Sequence, residues 1–352
     1  MISEETLTLD WINTVSRKNR NADRILIEKV IRALLLLEGL VESRMDFILK
    51  GGTALMLLQG STKRLSIDVD IVMEKKPELE PLFESFLKRK KFTRVKRQER
   101  NTNSSIKKFH YKFYYQPAFK TSQEEEYVLL DILIERFLYK NMLSVDINSS
   151  FVQQNSAPLK INVPSFTDML GDKLTAFAPN TIGIPYEKNG TSKTMEIIKQ
   201  LYDIGNLFDE VENLEIVRET FNRFALKELS YRNLGQSPNQ VLMDIFETAL
   251  CISTRGLEGH GNFRALQNGI SQIRAFIFSE TYQIEKAIVH ASKVAYLAKL
   301  LELNKNYLEH FKNAMQVRDW IIKRPFFTRL NRLKRSNPQA FFYWYKTYEL
   351  VK

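Results

Sequence analysis

Hydrophobic periodicity changes once along this chain, near residue 165, and that change restricts the fold more than any other feature. Upstream, short apolar segments alternate with polar positions and are separated by turn signals such as Gly60-Ser61-Thr62. Downstream the spacing is helical nearly to the end, interrupted by 178–192 and by Gly256–Gly261. A chain of 352 residues is long enough for two cores. The expected architecture is therefore α+β, with a mixed-sheet domain over 1–164 and an α-helical bundle over 165–352.

Within the first part, residues 23–43 read as a helix capped by Asp23, because Ile27, Val30, Ile31, Leu34 and Leu37 recur at helical spacing. Phe47-Ile48-Leu49 then runs into Gly51-Gly52, and Thr53 to Leu58 resumes a helical pattern. Ser66 to Met73 reads as a strand with Asp68 and Asp70 on one face, opposite Ile67, Val69 and Ile71. Pro77 opens a helix to about Lys91. Segments 92–100 and 106–115 read as paired strands, and Tyr127 to Ile134 as a further, very apolar one.

Gly51-Gly52 followed by a helix lets backbone approach a phosphate closely and aims free N–H groups at it. The Thr53 hydroxyl adds a possible donor, although Gly-Gly-Thr is also an ordinary turn and cap. Asp68 and Asp70, two apart on a strand, repel each other unless a cation or solvent lies between them. Mg²⁺ prefers such hard oxygen ligands, completed by substrate phosphates. Asp131, alone in Leu129-Leu130-Asp131-Ile132-Leu133, becomes a third metal ligand if its strand lies beside Asp68–Asp70. Otherwise it is a strand-end residue, or the base that takes a proton from an attacking hydroxyl.

The stretch Phe47-Ile48-Leu49-Lys50-Gly51-Gly52-Thr53-Ala54-Leu55, followed by Arg64-Leu65-Ser66-Ile67-Asp68-Val69-Asp70-Ile71, resembles the AbiEii/AbiGii-type toxins of bacterial toxin–antitoxin and abortive-infection systems. Those belong to the DNA polymerase β-like nucleotidyltransferase superfamily. Met169 to Ala176, centred on Lys173, resembles that family's third motif, and Lys199-Gln200-Leu201-Tyr202-Asp203-Ile204 its fourth. Gln200 stands where many members carry an Asp, so no role of that acid transfers. The resemblance covers roughly residues 23–210.

The resemblance implies a polymerase β-like core that transfers a nucleotidyl group from an NTP to an acceptor hydroxyl, releasing pyrophosphate. It implies metal binding by Asp68 and Asp70, with Mg²⁺ expected and Mn²⁺ as the alternative ion. Gly51, Gly52 and Thr53 would hold the triphosphate, with Lys173 on phosphate. Asp203 would assist the acceptor hydroxyl or order the site, with Lys199 beside it. Lys173, Lys199 and Asp203 would thus be the helical domain's contribution to a cleft. Arg64 and Ser66 would brace the phosphate loop or touch nucleotide, unless Arg64 only bridges to a carboxylate. Expected partners are tRNA, modified at its 3′ end, and a separately encoded antitoxin. Other readings are transfer to a protein or small molecule, or a nucleotide- or RNA-binding module without turnover.

The formal charge of +11 agrees with a polyanionic partner. Much of it lies in Lys88-Arg89-Lys90-Lys91 with Arg94, Lys96, Arg97 and Arg100, and in the tail from Lys323 to Arg335. The tail interleaves cations with Trp320, Phe326, Phe327 and Phe341 to Tyr345, which suits either base stacking or helix packing. A single cysteine, Cys251, in an apolar run reads as a buried thiol and excludes a disulfide framework. His110, His260, His290 and His310 have no metal-ligand spacing. Lys50 either reaches phosphate or faces solvent, and loop 178–192 either covers the active site or packs as a surface loop. No apolar run is long enough for a membrane span, and the acidic start Met1-Ile2-Ser3-Glu4-Glu5 is no signal peptide, so a cytoplasmic protein is expected.

Overall fold

The computed structural model describes residues 1–60, 63–75, 78–98, 107–232 and 235–352. The Ser61-Thr62 turn, Pro77 as helix opener, Arg100 and position 106 as a strand start lie outside the described residues. Two compact units emerge: residues 1–165 with 275–281, and 166–274 with 282–352. No described helix is long and apolar enough to cross a membrane.

The first unit begins with α1 (Leu9–Lys18) and α2 (Arg24–Glu42). As expected, Asp23 caps α2, its carboxylate accepting from the N–H groups of Ile25 and Leu26. β1 (Ile48–Lys50), α3 (Gly51–Leu58), β2 (Val69–Met73), α4 (Leu79–Leu87), β3 (Arg94–Gln98), β4 (Lys107–Tyr115) and β5 (Glu126–Ile134) follow. The five strands form one mixed sheet in the order β1-β2-β5-β4-β3, in which only β2 and β5 run parallel. β6 (Met142–Asp146) and β7 (Lys160–Pro164) form a separate antiparallel pair, which the hydrophobic alternation upstream did not announce.

One face of the large sheet carries Tyr111, Phe113, Tyr115, Val128, Leu130 and Ile132, all buried. Phe83 of α4 meets Tyr111 and Phe113 edge-on at 5.0 and 5.1 Å, and Arg32 of α2 lies over Tyr115 at 4.4 Å. Two ion pairs are sealed beneath this layer. Arg32 binds Glu28, and burial raises the Glu28 pKa despite that partner. Lys90 binds Glu38 at 2.5 Å and Glu42 at 2.7 Å. Arg89 on Glu42 and Lys91 on Glu4 are pairs at the surface, with both cations exposed. Within the run 88–91 the expected service to a polyanion is corrected for Lys90 alone, which is only 7% exposed.

The second unit contains α5 (Phe166–Ala176), a small hairpin of β8 (Glu187–Lys188) and β9 (Thr191–Ser192), α6 (Thr194–Leu207), α7 (Glu215–Tyr231) and α8 (Pro238–Ser253). It continues through α9 (Phe263–Ile273), α10 (Ile284–Glu302), α11 (Leu333–Ser336) and α12 (Pro338–Val351). The hairpin turns on Asn189-Gly190, both at positive φ, an Asn-Gly signal inside what reads as loop. The rest of that loop packs within its own unit. Asn180 and Thr181 donate to the Asp244 carboxylate, and Ile182 is buried. Gly256–Gly261 is the connection between α8 and α9. In the tail, Phe341, Phe342, Tyr343 and Trp344 are buried in α12, which favours packing over base stacking there. Cys251 is buried, and desolvation raises its thiol pKa.

Candidate active site

The structure places Asp70 and Asp131 side by side. They are Cα partners across the parallel β2–β5 pair, so both carboxylates leave the same face, opposite the α2–α4 layer. Strands in a sheet lie about 4.8 Å apart, so two ionised groups here repel strongly unless a cation intervenes. The expected neighbour of Asp70 on its own strand is corrected. β2 starts at Val69, and Asp68 lies just before it. The reason is local: β1 ends at Lys50, opposite Asp70, because the chain turns into α3 at Gly51. Position 68 therefore has no ladder partner on that side, and its carbonyl instead accepts from the Thr53 hydroxyl at 2.5 Å.

That bond changes the part Thr53 can play. Its oxygen also lies 3.1 Å from Ser66 Oγ, from which it can only accept, its one proton being on the Asp68 carbonyl, and the residue is 0% exposed. Thr53 thus ties α3 to the segment before β2, and the expectation that its hydroxyl meets phosphate is corrected; its backbone N–H remains in the first turn. Two glycines explain the close packing around it. Gly51 has φ +73°, and a Cβ there would fall on the Asp70 carboxylate. A Cβ at Gly52 would lie 2.5 Å from Ser66 Oγ and 2.9 Å from Arg64 Nη2. Arg64 and Ser66 therefore brace the glycine turn. Segment 275–281 steadies them in turn, since Leu65 N–H donates to Phe276 at 2.8 Å and Arg64 bridges to Ile277.

Lys50, half-buried, lies opposite Asp70 in register. The first turn of α3 begins at the glycine pair, where N–H groups lack helical partners and the dipole end is positive. Carboxylates and an anion-favouring helix end therefore meet at one place. Gly51→Ala is expected to lower stability by about 1–2 kcal/mol through left-handed strain and to displace Asp70. Gly60→Ala is the control, with φ +60° and nothing within 4 Å of its added Cβ. Thermal unfolding should shift similarly for both, whereas nucleotide transfer should fail only for the first; equal transfer would refute a role for the close approach.

His110 belongs to this group, although its spacing in the sequence gives no sign of it. It is the Cα partner of Asp131 across β4–β5, and its Nδ1 lies 2.6 Å from Asp131 Oδ1. An ionised carboxylate only accepts, so the proton sits on Nδ1. The imidazole is buried, and it fixes the orientation of Asp131. Register alone reveals the pair. The connection between these strands is too long for a tight turn to set that register.

Lys173, Lys199 and Asp203 lie in the second unit. Lys173 of α5 donates to Asp203 of α6 at 2.7 Å, and they are 5% and 1% exposed. The Lys173 ammonium is therefore held by a buried partner, and an open phosphate contact is not what this unit displays. Lys199 is half-buried one turn before Asp203 on α6.

Among the described residues no three His, Cys, Asp or Glu side chains already converge on a metal-sized point. The donor set still suits Mg²⁺, which is commonly bound by one or two carboxylates with substrate phosphates completing its shell. Asp70 and Asp131 supply hard oxygens in opposed positions, and Gly51 leaves open the space where a Cβ would cover one of them.

Comparison with known proteins bears on the same elements. A sequence profile for the nucleotidyl transferase AbiEii toxin of type IV toxin–antitoxin systems matches residues 35–268. A search of curated proteins finds no match. MenT4, a nucleotidyltransferase toxin from Mycobacterium tuberculosis H37Rv, aligns with a TM-score of 0.55 at 11% identity, over 83% of this chain and 89% of that one. A candidate nucleotidyltransferase from H. pylori aligns with a TM-score of 0.41 at 17% identity, over 79% of this chain and 94% of that one. The MenT4 likeness establishes a nucleotidyltransferase fold, as the mixed sheet and helical region lead one to expect. With its profile match running from α2 into α9, the chain belongs to the AbiEii nucleotidyl transferase toxin family.

Proposed function

We propose that the chain is a Mg²⁺-dependent toxin that transfers a nucleotidyl group from an NTP to the 3′-terminal hydroxyl of tRNA in the cytoplasm, restrained by a separate antitoxin. The observation that carries this reading is the in-register opposition of Asp70 and Asp131, with Gly51 closed against Asp70. Mg²⁺, held by Asp68 and Asp70 with Asp131 beside them, would neutralise charge on the triphosphate.

The chain's own groups do the rest. Backbone N–H groups of Gly51, Gly52 and Thr53 hold the triphosphate, braced by Arg64 and Ser66. The acceptor oxygen bonds to the α-phosphorus as the bond to the β-phosphate oxygen breaks, and pyrophosphate leaves. Asp131, oriented by His110, takes the hydroxyl proton. A tRNA acceptor agrees with the charge of +11.

Incubation with total tRNA, Mg²⁺ and each α-labelled NTP in turn tests this reading. Label on tRNA that disappears on chelation is the expected result. Label on a protein or small molecule would replace the acceptor, and bound nucleotide without label anywhere would favour a binding module. Removal of the terminal tRNA hydroxyl by periodate should abolish labelling. Co-expression with a neighbouring small reading frame should relieve any growth arrest.

A further inference from the structure

The face of the sheet that bears Asp70, Asp131 and His110 continues past them, and among the described residues α2 and α4 pack on the opposite face. Strand register places its side chains in rows. Beside the Asp131–His110 row comes Leu129–Lys112–Lys96, then Tyr127–Tyr114–Arg94. Contacts confirm that these share a face: Lys112 lies over the Tyr127 ring at 4.1 Å, Tyr114 meets Tyr127 at 5.8 Å, and Arg94 lies over Tyr114 at 3.6 Å. Lys96 and Arg94 are exposed, and the other four are half-buried. Rows two residues apart are about 7 Å apart along a strand, so the outer row lies ~13 Å from the carboxylates.

We infer that this face is the acceptor platform, a site for the single-stranded end of a nucleic acid whose terminal hydroxyl reaches Asp131; the inference rests on the reading of Asp70 and Asp131 as the reacting centre. The chemistry follows the rows. Lys112 and Lys96, nearest the carboxylates, meet backbone phosphates as compact charges. Arg94 is held flat by Glu125, with bonds of 3.0 and 2.7 Å, so its guanidinium offers a fixed plane over Tyr114. Such a plane, with Tyr127 beside it, suits stacking of an unpaired base. A duplex hides the base faces that these groups would contact. The contrast with the run 88–91 is instructive, because three of those cations are bound to Glu4, Glu38 and Glu42.

The test uses the full chain and a short fluorescent single-stranded oligoribonucleotide, with binding followed by anisotropy over a salt series. The double variant Lys96→Gln/Lys112→Gln should bind roughly tenfold more weakly, and its slope of log K against log salt should fall by about 1.4, near 0.7 for each lost phosphate contact. Tyr127→Leu should weaken binding several-fold, roughly five or more, without changing that slope. Titration with NTP and Mg²⁺ should be unaltered in the double variant. Unchanged oligonucleotide affinity and slope would overturn the proposal. So would an equal loss of NTP affinity, which would assign the lysines to the triphosphate, or a preference for duplex. Oligonucleotide bound through these lysines but never labelled would sink the transfer reading and leave the platform standing.

Discussion

Asp70→Asn is expected to reduce nucleotidyl transfer by roughly 10³-fold or more while leaving the fold intact. The magnitude follows from removing a charged ligand of the Mg²⁺ that would neutralise the triphosphate, where single preorganised interactions are worth about 3–4 kcal/mol. Asn has nearly the shape of Asp, so the close fit against Gly51 survives. Stability should hold or rise slightly, since the substitution relieves repulsion with Asp131 across the β2–β5 pair. Labelled-NTP transfer measured beside thermal unfolding separates the two effects. A variant that transfers as fast as the native chain would exclude Asp70 from the chemistry. One that merely unfolds would show that its role is structural.

The second large effect concerns stability. Lys173→Met should destabilise the helical unit by about 3–5 kcal/mol, because it removes the ammonium that pairs with the Asp203 carboxylate at 1% exposure. The double variant Lys173→Met/Asp203→Leu should recover most of that loss, since apolar replacement of a whole buried pair is often neutral. Chemical denaturation of all three proteins provides the measurement. This series also distinguishes two roles for Lys173. A buried clamp between α5 and α6 predicts low stability in the single variant and recovery in the double. A lysine that serves phosphate predicts normal stability in both and lost transfer in both. Full stability of Lys173→Met would therefore count against the clamp.

The two units show why some features are legible in a linear chain and others are not. Helix α2 is evident from its spacing and from Asp23, because cap and apolar stripe lie within adjacent turns. The paired strands β3 and β4 follow from alternation, and the glycine turn ahead of α3 from two consecutive residues. The carboxylates stand out for the same reason, being charges embedded in apolar runs. Their partners do not. The sequence reads Asp68 on the strand with Asp70, but β2 starts one residue later because the chain turns into α3 at Gly51, which leaves the Asp68 carbonyl to the Thr53 hydroxyl. Lys90 resembles part of a polyanion site until α2 supplies Glu38 and Glu42.

By itself, then, the sequence determined the class of the fold, the carboxylates and glycines of the candidate site, and the family to which the chain belongs. These depend on period, turn chemistry and short motifs, all of which act over a few residues. Tertiary structure alone decided that Asp70 faces Asp131, that His110 holds Asp131, and that Lys173 is sealed against Asp203. Each of these unites segments separated by long stretches of chain, and a one-residue change of register would reverse which side chains meet. Long cationic side chains add a further ambiguity. The same lysine can face solvent or neutralise a buried carboxylate, and only the packing around it selects between them.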